Sequence, residues 1–340
     1  MTSKNRRNRF SDSRMYTAES SSAKQIPVKV GKSRKKRRIK KSLIRFLTTI
    51  AVIISVIMIS ITSTIKFLTK DIGELNKPLL EGKYGHMEIA KIEEIPQYLQ
   101  DAVISIEDKR FYSHKGIDLI GLCRAFVKNI ITGSSQGGST LEMQISKNLM
   151  TSTEQTFDRK IKDIRVAYEM NKTMSKKDIL QVYMNSIYLG RGATGVREGS
   201  RIYFAKDITE LNLAECAMLA GITKNPSKYT VYLTEDISKD DDISKLQTTL
   251  VFNEIYDEEN KESSPNMDLA NTLLEMGLID ETQYQKMEEG LLVVKKAVLN
   301  PDAIERQRVV LSVMKDNKAI SKKEYEKALN TNIIIDTSLQ

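Results

Sequence analysis

Glu107 and Asp108 close an apolar helical stripe and open the run E-D-K-R-F-Y-S-H-K-G, Glu107 to Gly116. A carboxylate at such a rim can take a proton from a sugar hydroxyl when its surroundings tune it toward neutrality. Further on, Q-G-G-S-T (Gln136 to Thr140) sets backbone N–H groups beside a helix start, with Ser139 and Thr140 as caps. Such a place attracts phosphate oxygens. Lys147 lies about two turns into that helix, near the face of Gln144. R-K-I-K-D (Arg159 to Asp163) and Y-M-N-S-I-Y-L-G-R-G-A-T-G (Tyr183 to Gly195) complete the stretch. Carboxylates, glycines and cations in this order suit a site that activates a hydroxyl while holding a phosphorylated leaving group. Singly, each piece has a plainer reading. The acidic pair is a solvated turn, Lys147 an exposed lysine, and His114 a packing residue beside Tyr112. The order carries the information.

Helices must position these groups. Leu99, Val103 and Ile106 form one apolar stripe ending at the acidic pair, and Leu119, Leu122, Phe126, Ile130 and Ile131 form another. Residues 159–170 and 177–188 keep the helical period, and Leu211 to Ile222 reads as an amphipathic helix closed by Gly221, Asn225 and Pro226. Residues 68–95 read as a connector with one strand or hairpin edge, and 96–233 as the core. The charge run of 234–265 reads as an acidic, mobile insertion. Two similar helical units, around Leu273 to Tyr284 and Val310 to Tyr325, fill the helical part 266–340.

The formal charge of +9 invites a nucleic-acid partner, but its position removes that reading. Residues 1–42 hold fifteen Lys or Arg against Asp12 and Glu19, and Arg45 and Lys66 add two positive charges, which leaves residues 68–340 at −6. The first 42 residues lack apolar periodicity and read as a disordered basic tail. From Phe46 to Ile65 no charge interrupts FLTTIAVIISVIMISITSTI. About 20 such residues cross a bilayer, so 43–67 is expected as a single transmembrane helix. The basic cluster Lys32 to Lys41 keeps the N-terminus cytoplasmic and everything beyond the span extracytoplasmic. Two cysteines, Cys123 and Cys216, both in apolar helical patterns, exclude a disulfide scaffold and read as small core residues. With only His86 and His114 in the chain, no metal site is expected.

The ordered set E-D-x-x-F-Y-x-H-x-G, G-G-S-T-x-x-x-Q-x-x-K-N, R-K-I-K-D and I-L-x-x-Y-x-N-x-x-Y-x-G-x-G-x-x-G resembles the peptidoglycan glycosyltransferases of family 51. These occur as the transglycosylase domain of class A penicillin-binding proteins and as monofunctional enzymes. The resemblance covers Pro96 to Tyr229, through A-G-I-T-K-N-P-S-K-Y, and resumes over Ile304 to Ile334. It implies a mainly α, lysozyme-like domain behind one N-terminal membrane helix, with the Leu119 to Ile131 stripe as a jaw dipping into the outer leaflet. It implies a bacterial cell-wall reaction in which lipid II units join a growing glycan chain, undecaprenyl pyrophosphate leaves, and the anomeric centre inverts. Glu107 would be the general base and Asp163 the second catalytic carboxylate. Lys147 would bind the pyrophosphate, with Ser139, Gln144 and Asn148 lining that donor site. Asp108, Thr140, Arg159 and Asn225 would be further substrate-binding positions. No cofactor is implied beyond a divalent cation, magnesium or manganese, on the substrate pyrophosphate. The implied partners are lipid II, the glycan chain, the bacterial membrane and cell wall synthesis or division proteins.

The chain departs from the family's pattern at four places. Asp163 stands for a glutamate, Glu142 and Met143 for a Thr and a Gln, and Gln155 for an arginine. Glu142 is expected to bring a negative charge near the phosphate site. These changes motivate an alternative, a catalytically impaired member that binds lipid II or partner proteins as a scaffold. A hydrolase acting on finished glycan has no use for Lys147. A bifunctional enzyme is not expected, because the S-x-x-K of Ser312 to Lys315 has no K-T-G after it.

Overall fold

The structure is a computed structural model that describes residues 41–42, 44–56, 59–60, 63, 75–84, 88–132, 137–149 and 157–339. The chain divides into two units, residues 1–61 and 62–340. In the first, residues 44–56 are helical and expose Phe46, Leu47, Val52, Ile53, Ile54 and Val56. Thr49 and Ser55 return their hydroxyls to the carbonyls of Arg45 and Ala51 four residues back, so these two donors are paired within the helix. Among the described residues no helix is long and apolar enough to cross a membrane. The expected tail and much of the expected span of residues 43–67 lie outside the described residues.

The second unit is mainly helical. It begins with α1 (Lys77–Glu81), where Asn76 caps the helix and Pro78 sits in its first turn. The described part of the connector thus holds a helix, and residues 83–84 and 88–90, where a strand edge is expected, form no strand. Ala90 is bonded at both N–H and C=O to the Asn185 side chain. Next come α2 (Gln97–Glu107), α3 (Leu119–Thr132), α4 (Leu141–Leu149), α5 (Phe157–Thr173), α6 (Lys176–Ser186) and α7 (Val196–Phe204). Then α8 (Leu213–Ile222) is buried from Ala214 to Ile222. Its sequence is apolar almost all round, which marks a central helix rather than the amphipathic one expected. The exception, Glu215, turns back to the Asn212 N–H in a capping box and pairs with Lys206 at 2.6 Å. Gly221 lets α13 (Pro301–Asp316) close in, since a Cβ there would stand 3.0 Å from Arg306 Cγ.

Between α9 (Pro226–Tyr229) and α13 the chain builds a satellite. It comprises β1 (Tyr232–Asp236), α10 (Ile243–Leu246), β2 (Leu250–Glu254), α11 (Met267–Glu275), α12 (Glu281–Glu288) and β3 (Leu292–Leu299). The three strands form an antiparallel sheet in the order β1-β3-β2. The stretch expected as an acidic loop thus supplies most of β1 and all of β2. Both strands are short, and their partner β3 lies some forty residues or more away, so the pairing leaves little local trace. The acidic charge is answered from β3 and α12 by Lys295–Asp236, Lys296–Asp241 and Lys286–Glu254 pairs. The satellite has its own core of Leu250, Ala270, Leu273, Met287, Leu292 and Val294. Of the two similar helical units, α11–α12 packs on this sheet. The pair α13–α14 (Lys322–Leu329) belongs to the main core.

Candidate active site

Glu107 is the last residue of α2, a helix held down by Leu99, Ala102 and Val103. The chain breaks at Asp108, and the side chain of Glu107 is left half-buried at the helix end. An anion there faces the negative end of the helix dipole, so donors from elsewhere must hold it. Two do. Gln144 Nε2 donates to Oε2 at 2.9 Å, and Thr223 Oγ1 donates to Oε1 at 2.6 Å. The Tyr183 hydroxyl donates to Gln144 Oε1 at 3.2 Å, which turns the amide nitrogen toward the carboxylate. Burial and the charges of Glu107 and Asp108 push the Tyr183 phenol well above its usual range, so it stays a donor. Arg306 supplies the cation. Burial lowers its guanidinium below the usual value, and the charge of Glu107 acts in the opposite sense.

Asp108 points inward. Its carboxylate accepts from His114 Nε2 at 2.8 Å and from the Leu141 N–H at 3.2 Å, which ties the turn after α2 to the start of α4. His114 lies edge-on to Phe111, the packing role expected of it. The Thr140 hydroxyl donates to the Gly116 carbonyl and accepts from the Met143 N–H, capping α4. Gly116 has φ +91°, and a Cβ there would meet the Ala167 carbonyl oxygen at 2.4 Å. Gly116→Ala is therefore expected to destabilise the fold by about 2–3 kcal/mol in urea unfolding, from overpacking plus left-handed strain.

Helix α4 has two polar faces. Residues two apart on a helix lie about 200° round the axis, and residues three or four apart share a side. Gln144, Lys147 and Asn148 make one face. Gln144 touches Glu107, Asn148 Nδ2 donates to the Ser186 carbonyl at 3.3 Å, and Lys147 is exposed. Glu142 and Ser146 make the other, fully buried face. There Ser146 donates to Asp163 Oδ1 at 2.8 Å, and Arg159 Nε lies 3.7 Å from Asp163 Oδ2. Glu107 and Asp163 thus reach α4 from different sides, through Gln144 and Ser146 respectively.

Glu142 corrects an expectation. It is fully buried and takes Lys176 Nζ at 2.7 Å and Asn171 Nδ2 at 2.8 Å on Oε1. Its charge faces α5 and α6, not the face of Lys147. Asp108, His114 and Glu142 bring ligand-type atoms within 4.8 Å of one another. The Lys176 ammonium already balances charge there. Met143 is buried, and Gln155 lies outside the described residues. Asn225 is the N-cap of α9, accepting from the Lys228 N–H at 3.2 Å. Cys123 is exposed rather than in the core, Cys216 is buried, and both are free.

Lys147 also belongs to a group of cations. Lys160 Nζ donates to Ser139 Oγ at 2.8 Å. Burial lowers the Lys160 ammonium most, Asp163 raises it, and the charges of Arg159 and Lys147 lower it further. Lys160 thus feels the positive charges of Arg159 and Lys147, and such a concentration of charge favours an anion. Lys160 is plain in R-K-I-K-D, but nothing in that run sets it apart from its basic neighbours. Thr223 lies in A-G-I-T-K-N-P-S-K-Y and Arg306 in the stretch from Ile304, but nothing local in either ties the residue to Glu107.

The family model for transglycosylases matches residues 74–251. Penicillin-binding protein 1A of Neisseria lactamica is 39% identical over 220 residues, 64% of this chain and 26% of that protein. A Cupriavidus necator protein, named only provisionally as a transglycosylase, is 48% identical over 136 residues, 40% of this chain and 59% of its own. The chain therefore spans about a quarter of the first relative and under two thirds of the second. The crystal structure of penicillin-binding protein 1A from Haemophilus influenzae gives a TM-score of 0.31 at 20% identity, covering 74% of this chain and 18% of that one. That likeness is too distant to bear on the fold. More than half of the sequence lies within the family model, and the chain belongs to the transglycosylase family.

Proposed function

We propose that this chain is a peptidoglycan glycosyltransferase that polymerises lipid II into glycan strands by inverting displacement. The observation that carries the reading is the half-buried Glu107 carboxylate, clamped by Thr223 and by Gln144, on the side of α4 that also carries Lys147. In the reaction the 4-hydroxyl of one lipid-linked sugar loses its proton to Glu107. Its oxygen bonds to the anomeric carbon of the growing chain, and the bond from that carbon to undecaprenyl pyrophosphate breaks. The leaving group carries the electron pair, which Lys147, Lys160 and Arg159 stabilise as charge develops. A divalent cation enters with the pyrophosphate as part of the substrate. One carboxylate suffices, because a single displacement needs a base and no nucleophile. Asp163 serves by holding Arg159 and Ser146 in place.

The N-terminal apolar run anchors the chain, with the basic tail cytoplasmic and the catalytic unit against the outer leaflet. Leu119, Ile120, Ile130 and Ile131 of α3 are exposed, which supports a membrane-facing jaw. The family's lysozyme-like architecture belongs to the same reading. A scaffold that binds lipid II without turning it over is disfavoured by the intact setting of Glu107 and by the pairing of Glu142 with Lys176, away from the side of α4 that carries Lys147.

The test is purified full chain with labelled lipid II and magnesium, polymer length being read on a gel. Long strands are expected. Lipid II binding without polymer leaves the scaffold, and small fragments released from finished peptidoglycan would mean a hydrolase. Lys147→Met is expected to lower kcat/KM for lipid II by about 10²-fold, the scale of one lost charge-stabilising donor. Lys147 is exposed, so its thermal midpoint should stay that of the parent.

A further inference from the structure

The Thr223 hydroxyl stands between two acceptors, Glu107 Oε1 at 2.6 Å and the Ala220 carbonyl at 2.9 Å. One hydroxyl holds one proton, so it donates to one of them at a time and keeps lone pairs for accepting. The other carboxylate oxygen is in a different position. Glu107 Oε2 faces Gln144 Nε2, an amide nitrogen that only donates, and Tyr183 keeps that amide from turning over. A proton on Oε2 would weaken it as an acceptor for that N–H, or set an O–H against the N–H if it pointed at Gln144. A proton on Oε1 would face a group that can reverse.

We propose that Thr223 is a positioning residue that changes hydrogen-bond direction with the protonation of Glu107. This rests on the glycosyltransferase reading above and adds to it which carboxylate oxygen takes the proton and how its surroundings respond. Before transfer, Thr223 donates to Oε1 and helps hold the base as an anion in one rotamer. During transfer the acceptor O–H bond breaks, its electron pair forms the new bond to the anomeric carbon, and its proton goes to Oε1. Thr223 then rotates its own proton to the Ala220 carbonyl and accepts from the new carboxylic acid. No bond of Thr223 is made or broken. Without the hydroxyl, Oε1 loses its partner in both states, and Gln144 alone fixes the carboxylate.

Thr223 is suited by place as well as by chemistry. It is the C-cap of α8, with helical φ −51° and ψ −31°, so its hydroxyl reaches back to a carbonyl three residues earlier. The close approach of Arg306 at Gly221 pins that end of the helix against α13. A residue on a pinned helix end offers the carboxylate a fixed partner.

The experiment is steady-state polymerisation of labelled lipid II by the full chain and its Thr223→Val and Thr223→Ser variants, with thermal midpoints measured alongside. Thr223→Val should lower kcat about 10–100-fold, part of what a general base contributes. Its KM should stay within about threefold. Thr223→Ser, which restores the hydroxyl, should keep kcat within about threefold of the parent. A merely structural role would shift the midpoint and leave this split unmoved. If Thr223→Val does not fold, Thr223→Ala against Thr223→Ser makes the same comparison. A Val variant with parental kcat overturns the proposal, and so does a Ser variant as slow as Val. Should the parent itself form no polymer, the reading of function beneath the proposal fails. Should the parent polymerise while Val matches it, only the role of Thr223 falls.

Discussion

Glu107→Gln is expected to abolish glycan formation, lowering the polymerisation rate by about 10²–10⁴-fold, the usual share of a general base. The substitution keeps size and shape at a half-buried helix end, so the thermal midpoint should move by no more than a few degrees. Its meaning lies in what is conserved. Gln offers an oxygen to Thr223 or to Gln144, as the carboxylate does, but has no basic site for the proton of the attacking hydroxyl. Binding of lipid II should persist, because the proposed mechanism gives the pyrophosphate to Lys147, Lys160 and Arg159 rather than to Glu107. The decisive measurement is therefore a pair, polymer on a gel and lipid II retained by the same preparation. Undiminished polymer from Glu107→Gln would remove Glu107 as the base. Loss of both polymer and binding would make its role structural.

The sequence carried the half of this site whose parts lie close together along the chain. The stripe of Leu99, Val103 and Ile106 placed Glu107 at a helix end, and α2 ends there. Gln144, Lys147 and Asn148 share one side of α4 because spacings of three and four residues always do so. Asp163 shows where spacing misleads. Its position along α5 does not say which side of α4 it meets, and only the packing of α5 on α4 turns it toward Ser146 and away from Glu107. Thr223 and Arg306 were illegible for a different reason. Each comes from an element more than a hundred residues later, Thr223 by a hydrogen bond to Glu107 and Arg306 by its charge, and neither leaves a periodic mark. The central helix α8 was misread for want of a polar face, since a helix buried on every side has no amphipathic pattern to detect. Short strands β1 and β2 depend on β3 in the same way.

Lys176→Met should cost about 3–5 kcal/mol of stability, the effect of stranding a buried charge by removing its partner. Glu142 is fully buried, and its Oε2 has no partner among the described residues. Its charge is met by the Lys176 ammonium at 2.7 Å, with help from Asn171. Lys176 also lies 4.4 Å over the Phe111 ring, so it joins the start of α6 to the turn after α2. Met keeps the length and apolar contact of the lysine and takes away only the charge. Urea unfolding reads the loss directly. Replacing both partners, Glu142→Met with Lys176→Met, should recover most of it, because an apolar pair of similar volume leaves no charge to desolvate. Glu142→Gln separates fold from chemistry. If the Glu142 charge stood by the pyrophosphate, removing it would tighten lipid II binding and lower KM. Since it faces α5 and α6, KM should hold steady while stability changes. An unchanged unfolding midpoint in Lys176→Met would show that Glu142 is reached by water or protonated instead. A lowered KM in Glu142→Gln would return its charge to the donor site.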